Sequence, residues 1–185
     1  VISYASGRPP SFRPGKVDHS LPRPGSIGVI VNIWIGFDLN TVPAYRGYWE
    51  LRAVLGPQDD HFDAAAQDLF LNADYRVSAH SDRTGIRLLA APISAKEGMA
   101  ESILSEGVVA GTVQIPGDGQ PIILLGETVS GGYRKIATVI TADLHLLGQV
   151  LPGDHIRFQA VTMCEARQAL WRLEEMIGRF RDSLS

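Results

Sequence analysis

The sequence predicts a mainly β protein, a barrel or a sandwich, with short helices and one amphipathic helix at its C-terminal end. Short runs rich in β-branched residues recur at close spacing, and helical periodicity is confined to a few places. The chain has 19 glycines and 11 prolines in 185 residues, and these residue types favour turns. Seven of the glycines fall between Ser105 and Leu144, between short apolar runs. That density favours tight turns whose backbone N–H groups a ligand can approach.

Residues 1–48 contain the motifs RPP, RPG and PRPG without periodicity, which predicts a Pro/Gly-rich arm of unassigned role. One strand is predicted within it, at Ser26–Ile35. The apolar run Ile27–Phe37 is too short to span a bilayer, and no short basic region precedes it as in a secretory signal. Cys164 is the sole cysteine, so an intrachain disulfide is impossible. We therefore expect a soluble, cytoplasmic chain.

The remaining elements follow from alternation, turns and helical spacing. A short helix is expected after Asp59 or Asp60, either of which can cap it. One or two helical turns are expected at Asp143–Gly148. Strands are predicted at Trp49–Leu55, Tyr75–Ser78, Gly85–Ala90, Val108–Ile115, Ile122–Leu125, Lys135–Thr141 and Ile156–Thr162.

The last helix carries a clear start signal, because Thr162 and Glu165 have the spacing of a capping box. We expect its apolar stripe to pack on the chain's own barrel, with docking of a partner as the alternative. The stripe consists of Ala166, Ala169, Leu170, Leu173, Met176, Ile177 and Phe180.

Several function classes are disfavoured by charge and motifs. The net charge is −3 and the chain has only three lysines, so nucleic-acid binding is not expected. No phosphate-binding loop and no G-x-S-x-G nucleophile elbow is present. The five histidines are scattered without metal-ligand spacing, so we expect no metal site.

Three segments carry candidate site residues. In SDRTGIRL, Asp82, Arg83 and Arg87 bracket a glycine, and the two arginines can grip a carboxylate. An Asp–Arg pair that merely closes a turn is an equal alternative. In VQIPGDGQPI, Gln114 and Gln120 can hydrogen-bond an amide or ureido group. A hairpin turn explains the glycines there but does not require two glutamines.

The third segment is SGGYRKIATVI. Gly131 and Gly132 can point backbone N–H groups at an anion in a nest. Tyr133 offers a stacking face or a phenol, and Lys135 offers a positive charge.

These segments, with LGPQDDHF and LGQVLPGDHIRF, resemble the C-terminal half of the KipA-like family over roughly Trp49–Ala166. Its members include the carboxyltransferase subunit of prokaryotic 5-oxoprolinase, also called allophanate hydrolase subunit 2, and the matching domain of urea amidolyase and urea carboxylase. The resemblance implies a cyclophilin-like β-barrel lobe at 49–166, one of two in the full-length protein. The C-terminal helix predicted from the apolar stripe is then assigned to 167–185. The chain has about half the length expected of that protein, so we expect the other lobe to be missing or replaced.

The resemblance also implies partners. A KipI-like partner subunit is expected, together with an ATP-using subunit or a biotin carrier. No Met-Lys-Met biotinylation motif is present, so carboxybiotin or ATP would come from partner subunits and no cofactor is bound by this chain alone. No membrane partner is expected.

The function implied is a part of an amide-directed carboxyltransferase or amidohydrolase complex that is inactive alone. Tyr133, Lys135 and Asp82 are the catalytic candidates. The substrate-binding candidates are Arg83, Arg87, Gln114, Gln120, Gly131 and Gly132. A non-catalytic regulatory module that docks a KipI-like partner is the alternative, and prolyl isomerase activity rests on analogy of fold alone.

Overall fold

The fold is described from a computed structural model, which defines residues 47–99, 102–126 and 129–182. The arm predicted at 1–48 lies outside these ranges except for its last two residues. The strand predicted at Ser26–Ile35 lies wholly outside them.

The described residues form a closed barrel and a small ribbon. The strands are β1 (Tyr48–Leu55), β2 (Tyr75–Val77), β3 (Gly85–Leu89), β4 (Glu106–Gly107), β5 (Thr112–Ile115), β6 (Ile122–Leu124), β7 (Ser130–Gly131), β8 (Arg134–Val139) and β9 (His155–Ala160). Seven of them close the barrel in the order β1-β8-β5-β6-β3-β2-β9, and a separate two-stranded ribbon joins β4 and β7. β1 and β9 pair in parallel, and the other neighbouring strands are antiparallel. The mainly β fold is thus confirmed, and the barrel is the architecture adopted.

The barrel interior is filled by the alternating apolar positions of the strands. At one side the rings of Phe70 and Phe158 stack with centroids 4.5 Å apart, and Tyr75 meets Phe158 edge-on at 5.5 Å. The Tyr75 hydroxyl donates to the Phe70 carbonyl at 3.1 Å, so this buried phenol is satisfied. Burial raises the pKa of Tyr75 well above its usual range.

The first helix, α1 (Ala64–Asn72), begins later than its expected cap. Asp59 lies with Asp60 in a separate 3₁₀ turn, Asp59–His61, and Asp63 is the N-cap. The Asp63 side chain accepts a hydrogen bond from the Ala66 amide at 2.7 Å. The prediction of the helix was right and that of its cap was wrong.

Only the second half of the predicted strand Val108–Ile115 is a strand, β5, and the chain bends just before it at Gly111, which has a φ of +88°. A Cβ at Gly111 would lie 2.7 Å from the Leu144 Cδ2 atom, so only glycine fits this bend. β4 leaves the barrel wall before this point and pairs with β7 instead.

The helices after β8 match the prediction in position. A 3₁₀ turn, Thr141–Asp143, leads into α2 (Leu144–Leu147). The last helix, α3 (Met163–Asp182), starts ahead of the expected boundary at 167. Its capping box is confirmed by bonds from the Thr162 amide to the Glu165 carboxylate at 2.8 Å and from the Glu165 amide to the Thr162 hydroxyl at 3.2 Å.

The apolar stripe of α3 packs on the barrel only in its first half. Ala169 is buried with Ile140 and Ala142, whereas Met176 and Ile177 are exposed.

Candidate functional site on the outer wall of the barrel

A row of side chains crosses the outer wall of the barrel over four adjacent strands. Arg87 of β3 pairs with Ile122 of β6, Ile122 pairs with Gln114 of β5, and Gln114 pairs with Lys135 of β8. Directly paired residues point to the same face of a sheet. The row spans about 14 Å at the usual strand spacing. It therefore places three sequence-predicted residues, Arg87, Gln114 and Lys135, on one surface.

A β-bulge puts Lys135 in this row. Val113 pairs with Ala137, but the next residue, Gln114, pairs with Lys135, so Ile136 is the extra residue of β8. Bulges of this kind redirect side chains and recur beside functional sites. Without the bulge Gln114 would face Ile136, and the ammonium would not lie beside the amide.

Lys135 is almost fully buried on this outer wall because the β4–β7 ribbon covers it. Its side chain is 4% exposed, and its Nζ forms an ion pair with the Glu106 carboxylate of β4. Gln58 bridges the two, since its Nε2 donates to Glu106 at 2.7 Å and its Oε1 accepts from the Lys135 amide at 3.0 Å. Hydrogen bonds from Lys135 and Gln58 lower the pKa of Glu106. The carboxylate therefore stays ionised and holds the ammonium.

Gln114 lies beneath the second strand of the same ribbon. It is 3% exposed, and its Nε2 makes a long hydrogen bond of 3.4 Å to the Tyr133 carbonyl. A Cβ placed on Gly131 would lie well within van der Waals contact of this Nε2, so the absence of a side chain at Gly131 makes room for the amide. The Tyr133 side chain is 43% exposed at the rim of the ribbon.

The glycines of the SGGY segment do not form the expected anion nest. Ser130–Gly131 is strand β7, paired with β4, and neither Gly131 nor Gly132 has a positive φ. The Gly132 carbonyl accepts from the Ile103 amide at 2.8 Å. A nest needs consecutive N–H groups turned to one side, which an extended strand does not provide.

Asp82 and Gln120 lie with Arg87 around a neighbouring cleft of about 490 Å³, which Asp118 and Ile122 also line. The Asp82 carboxylate accepts bonds from the Thr84 hydroxyl at 2.5 Å and from the Thr84 and Gly85 amides at 2.8 and 3.2 Å. These bonds lower the pKa of Asp82. Asp82 thus closes the β2–β3 turn as an ionised carboxylate, and its proposed catalytic role stays a prediction.

Gln120 has a structural task in the same wall. Its Oε1 accepts from the Ala90 amide at 3.0 Å and its Nε2 donates to the Ala90 carbonyl at 3.1 Å. Both polar groups of this side chain are therefore engaged by the backbone, and its predicted contact with a substrate stays a prediction. Arg83 is exposed in the turn beside Asp82.

Two residues of the site escaped sequence reasoning. Glu106 and Gln58 complete the environment of Lys135, yet they lie 29 and 77 residues away in sequence and were not among the candidate site residues. Two local signals were present: Gln58 lies in the segment LGPQDDHF, and Glu106 lies one residue before a glycine in the glycine-rich segment.

Two further findings concern the described residues as a whole. These residues contain no group of three or more His, Cys, Asp or Glu side chains arranged to hold a metal ion. None of their helices has the length and apolar character needed to cross a membrane.

Fold and side-chain arrangement together define a closed β-barrel domain with a row of polar side chains on its outer wall, a candidate ligand site. Residues 31–160 match the family model described as carboxyltransferase domain, subdomain A and B. The chain therefore belongs to this carboxyltransferase domain family, which confirms the family suggested by its motifs.

The names of similar proteins agree with this family assignment. The chain is 38% identical over 120 residues to a 5-oxoprolinase subunit of Escherichia coli (strain K12), covering 64% of this chain and 38% of that protein. It is 33% identical over 145 residues to a putative urea carboxylase of Emericella nidulans, covering 74% of this chain and 12% of that protein. The crystal structure of the K. lactis urea amidolyase matches with a TM-score of 0.69 and 25% identity, over 75% of this chain and 9% of that one.

The chain spans about two fifths of the length of the 5-oxoprolinase subunits it matches. The relatives named here are enzymes or enzyme subunits. They lend no support to the alternative of a regulatory module.

Proposed function

We propose that this chain is one lobe of a carboxyltransferase-type subunit that acts on an amide substrate, with a 5-oxoproline-type compound as the favoured substrate. The observation that carries the proposal is the adjacent pair Gln114 and Lys135 on the outer wall of a carboxyltransferase-family barrel. A primary amide matches the amide group of such a substrate, and an ammonium matches a carboxylate. 5-Oxoproline carries both groups, whereas urea carries no carboxylate.

The roles follow from the groups present. Lys135 holds the substrate carboxylate, Gln114 hydrogen-bonds the ring amide, and Arg87 adds positive charge at the far end of the row. We assign the exchange of a proton with the substrate nitrogen to Tyr133, whose exposure leaves it accessible to a ligand. Tyr133 and the cleft both face the solvent. We therefore expect a second protein surface to complete the site.

Partners supply what the lobe lacks. We infer a hetero-oligomer with a KipI-like partner subunit and an ATP-using subunit or a biotin carrier. Carboxybiotin, when bound, supplies the carboxyl group that is transferred.

The experiment is an ATP-dependent 5-oxoproline assay on this chain after co-purification with its partner subunits. Lys135→Met should reduce turnover at least a hundredfold and Tyr133→Phe at least tenfold, because each removes a group that contacts the substrate. Lys96→Met is the matched control, since Lys96 is exposed and its Nζ bonds only the Asp60 carbonyl among the described residues.

Two results would count against the assignment. Full turnover in both Lys135→Met and Tyr133→Phe would remove these residues from the site. A complex that forms tightly but is inactive on both 5-oxoproline and urea would favour the alternative hypothesis of a non-catalytic regulatory module.

A further inference from the structure

Lys135 is a buried ammonium with fewer partners than it can bind. Its Nζ carries three N–H donors, and among the described residues Glu106 is its one hydrogen-bond partner. Burial of a charged group is costly unless its donors are satisfied. Two of its three N–H donors therefore have no acceptor among the described residues.

The partner of Lys135 comes from the ribbon and not from the barrel. Glu106 belongs to the two-residue strand β4, and its side chain is 48% exposed. Beyond Lys135 it is held by Gln58 Nε2 at 2.7 Å. A carboxylate on so short an element, open to water on one side, is rehydrated when it leaves, whereas the buried ammonium needs another anion in its place.

Gln114 is incompletely bonded beneath the same ribbon. Among the described residues its Oε1 has no hydrogen-bond partner, and its Nε2 reaches only the Tyr133 carbonyl at 3.4 Å. Gly131, which lies over this amide, is paired with Glu106 in the ribbon. One movement of the ribbon would therefore uncover both the amide and the ammonium.

We propose that Glu106 occupies the place of a ligand carboxylate on Lys135, and that a ligand carrying both a carboxylate and an amide displaces it and lifts the β4–β7 ribbon from Gln114. The inference rests on the proposed function for the substrate class and adds a built-in competitor for the same site. No covalent bond is made or broken. One carboxylate replaces another as the ion-pair partner of the ammonium, so the net charge of the pair is unchanged. The ribbon thereby selects for ligands with a carboxylate, because a neutral amide cannot replace Glu106 on Lys135.

The test is binding of 5-oxoproline to the full chain by calorimetry, with 2-pyrrolidinone, the same cyclic amide without a carboxylate, as the comparison ligand. Glu106→Gln keeps an acceptor for Gln58 but removes the competing charge. We expect this variant to bind 5-oxoproline about tenfold more tightly than the unmodified chain, with no such gain for 2-pyrrolidinone. Glu97→Gln, an exposed carboxylate without a partner among the described residues, is the control and should change neither affinity.

A second measurement needs no variant. 5-Oxoproline should accelerate hydrogen exchange at the amides of Ile103 and Val108, which bond the Gly132 and Val129 carbonyls in and beside the ribbon. Unchanged exchange under saturating ligand, or an equal gain for both ligands in Glu106→Gln, overturns the displacement.

The two proposals fail separately. If the assembled complex turns over 5-oxoproline and needs Lys135, while Glu106→Gln changes no affinity, the function stands and the displacement is wrong. If Glu106→Gln tightens binding of 5-oxoproline but the assembled complex is inactive on it, the displacement stands and the proposed reaction is wrong.

Discussion

At the scale of single residues, Gly131 is the position above the Gln114 amide where one methyl group should matter most. An alanine Cβ there would overlap Gln114 Nε2 and lie 3.1 Å from its Oε1. Gln114 is buried, so its amide cannot simply rotate out into the solvent. The side chain must instead shift away from its place beside Lys135. We expect Gly131→Ala to reduce turnover of the assembled complex about tenfold or more, a barrier increase of about 1.4 kcal/mol.

The control lies on the partner strand of the same ribbon. Gly107 has no heavy atom within 4 Å of an added Cβ, and its φ is not positive. Gly107→Ala should leave turnover unchanged. Equal losses in the two variants would show that the ribbon is sensitive to any side chain, and the role given to Gln114 would lose its support.

Gln120 gives a second prediction at this scale, concerned with stability. Its amide bonds both the N–H and the C=O of Ala90, so Gln120→Glu keeps the acceptor but sets a carboxylate oxygen against the Ala90 carbonyl. We expect a loss of about 1–3 kcal/mol in the free energy of unfolding, measured by urea denaturation. Affinity for 5-oxoproline should not change. Unchanged stability combined with weaker binding of 5-oxoproline would instead show that Gln120 contacts the substrate.

The types of site residue were readable from the sequence, whereas their grouping was not. Glutamine and lysine beside a glycine-rich turn indicated an amide and an anion. Their contact depends on the bulge at Ile136, and the pairing of Lys135 with Glu106 depends on a ribbon between segments far apart in sequence. Register between distant strands is set by packing of the whole barrel, so no local pattern contains it.

At the scale of elements, the capping box of α3 links helix stability to pH. Hydrogen bonds from the Thr162 amide and hydroxyl lower the pKa of Glu165 below its ordinary value of 4.5. The folded state therefore binds this proton less readily than the unfolded state. The stabilisation is fully present above about pH 4.5 and is lost as pH falls through the lowered folded-state pKa.

Thermal unfolding of the unmodified chain and of Glu165→Gln from pH 7 to pH 3 measures this effect. The Tm difference should favour the unmodified chain at pH 7 and disappear at the acid end. Glu174→Gln, in the same helix but without a side-chain hydrogen bond among the described residues, serves as control. A difference that persists undiminished at pH 3 would assign the effect to packing and not to charge.

Local sequence signals predicted an element well where the interactions that define it lie within one short segment. The α3 cap is such a case, since Thr162 and Glu165 lie three residues apart. Prediction was poorer where a distant contact decides: the bend at Gly111 lies so close to Leu144 of α2 and Val139 of β8 that it has no room for a Cβ. Neither of these neighbours is visible in the local sequence around Gly111.

At the scale of the whole molecule, one ion pair joins β1 to the turn that follows β8. The buried Asp143 carboxylate accepts from the Arg52 amide at 2.9 Å, from Nε at 3.0 Å and from Nη2 at 2.5 Å. Hydrogen bonding to Asp143 raises the pKa of Arg52, which stays charged. The pair spans 91 residues of sequence and fastens the end of β8 against the strand that closes the barrel through β9.

Asp143→Asn should therefore weaken the barrel as a unit. An asparagine offers one acceptor oxygen, and its NH₂ group would face a donor of Arg52, leaving partly buried N–H groups unpaired. We expect a loss of about 1–3 kcal/mol in the free energy of unfolding by denaturant, with one cooperative transition retained. Asp74→Asn is the matched control, because Asp74 pairs with His155 and Arg157 at the surface and should cost less than about 1 kcal/mol. If the two variants cost the same, or if Asp143→Asn splits the transition in two, the pair does not couple barrel closure to the rest of the fold.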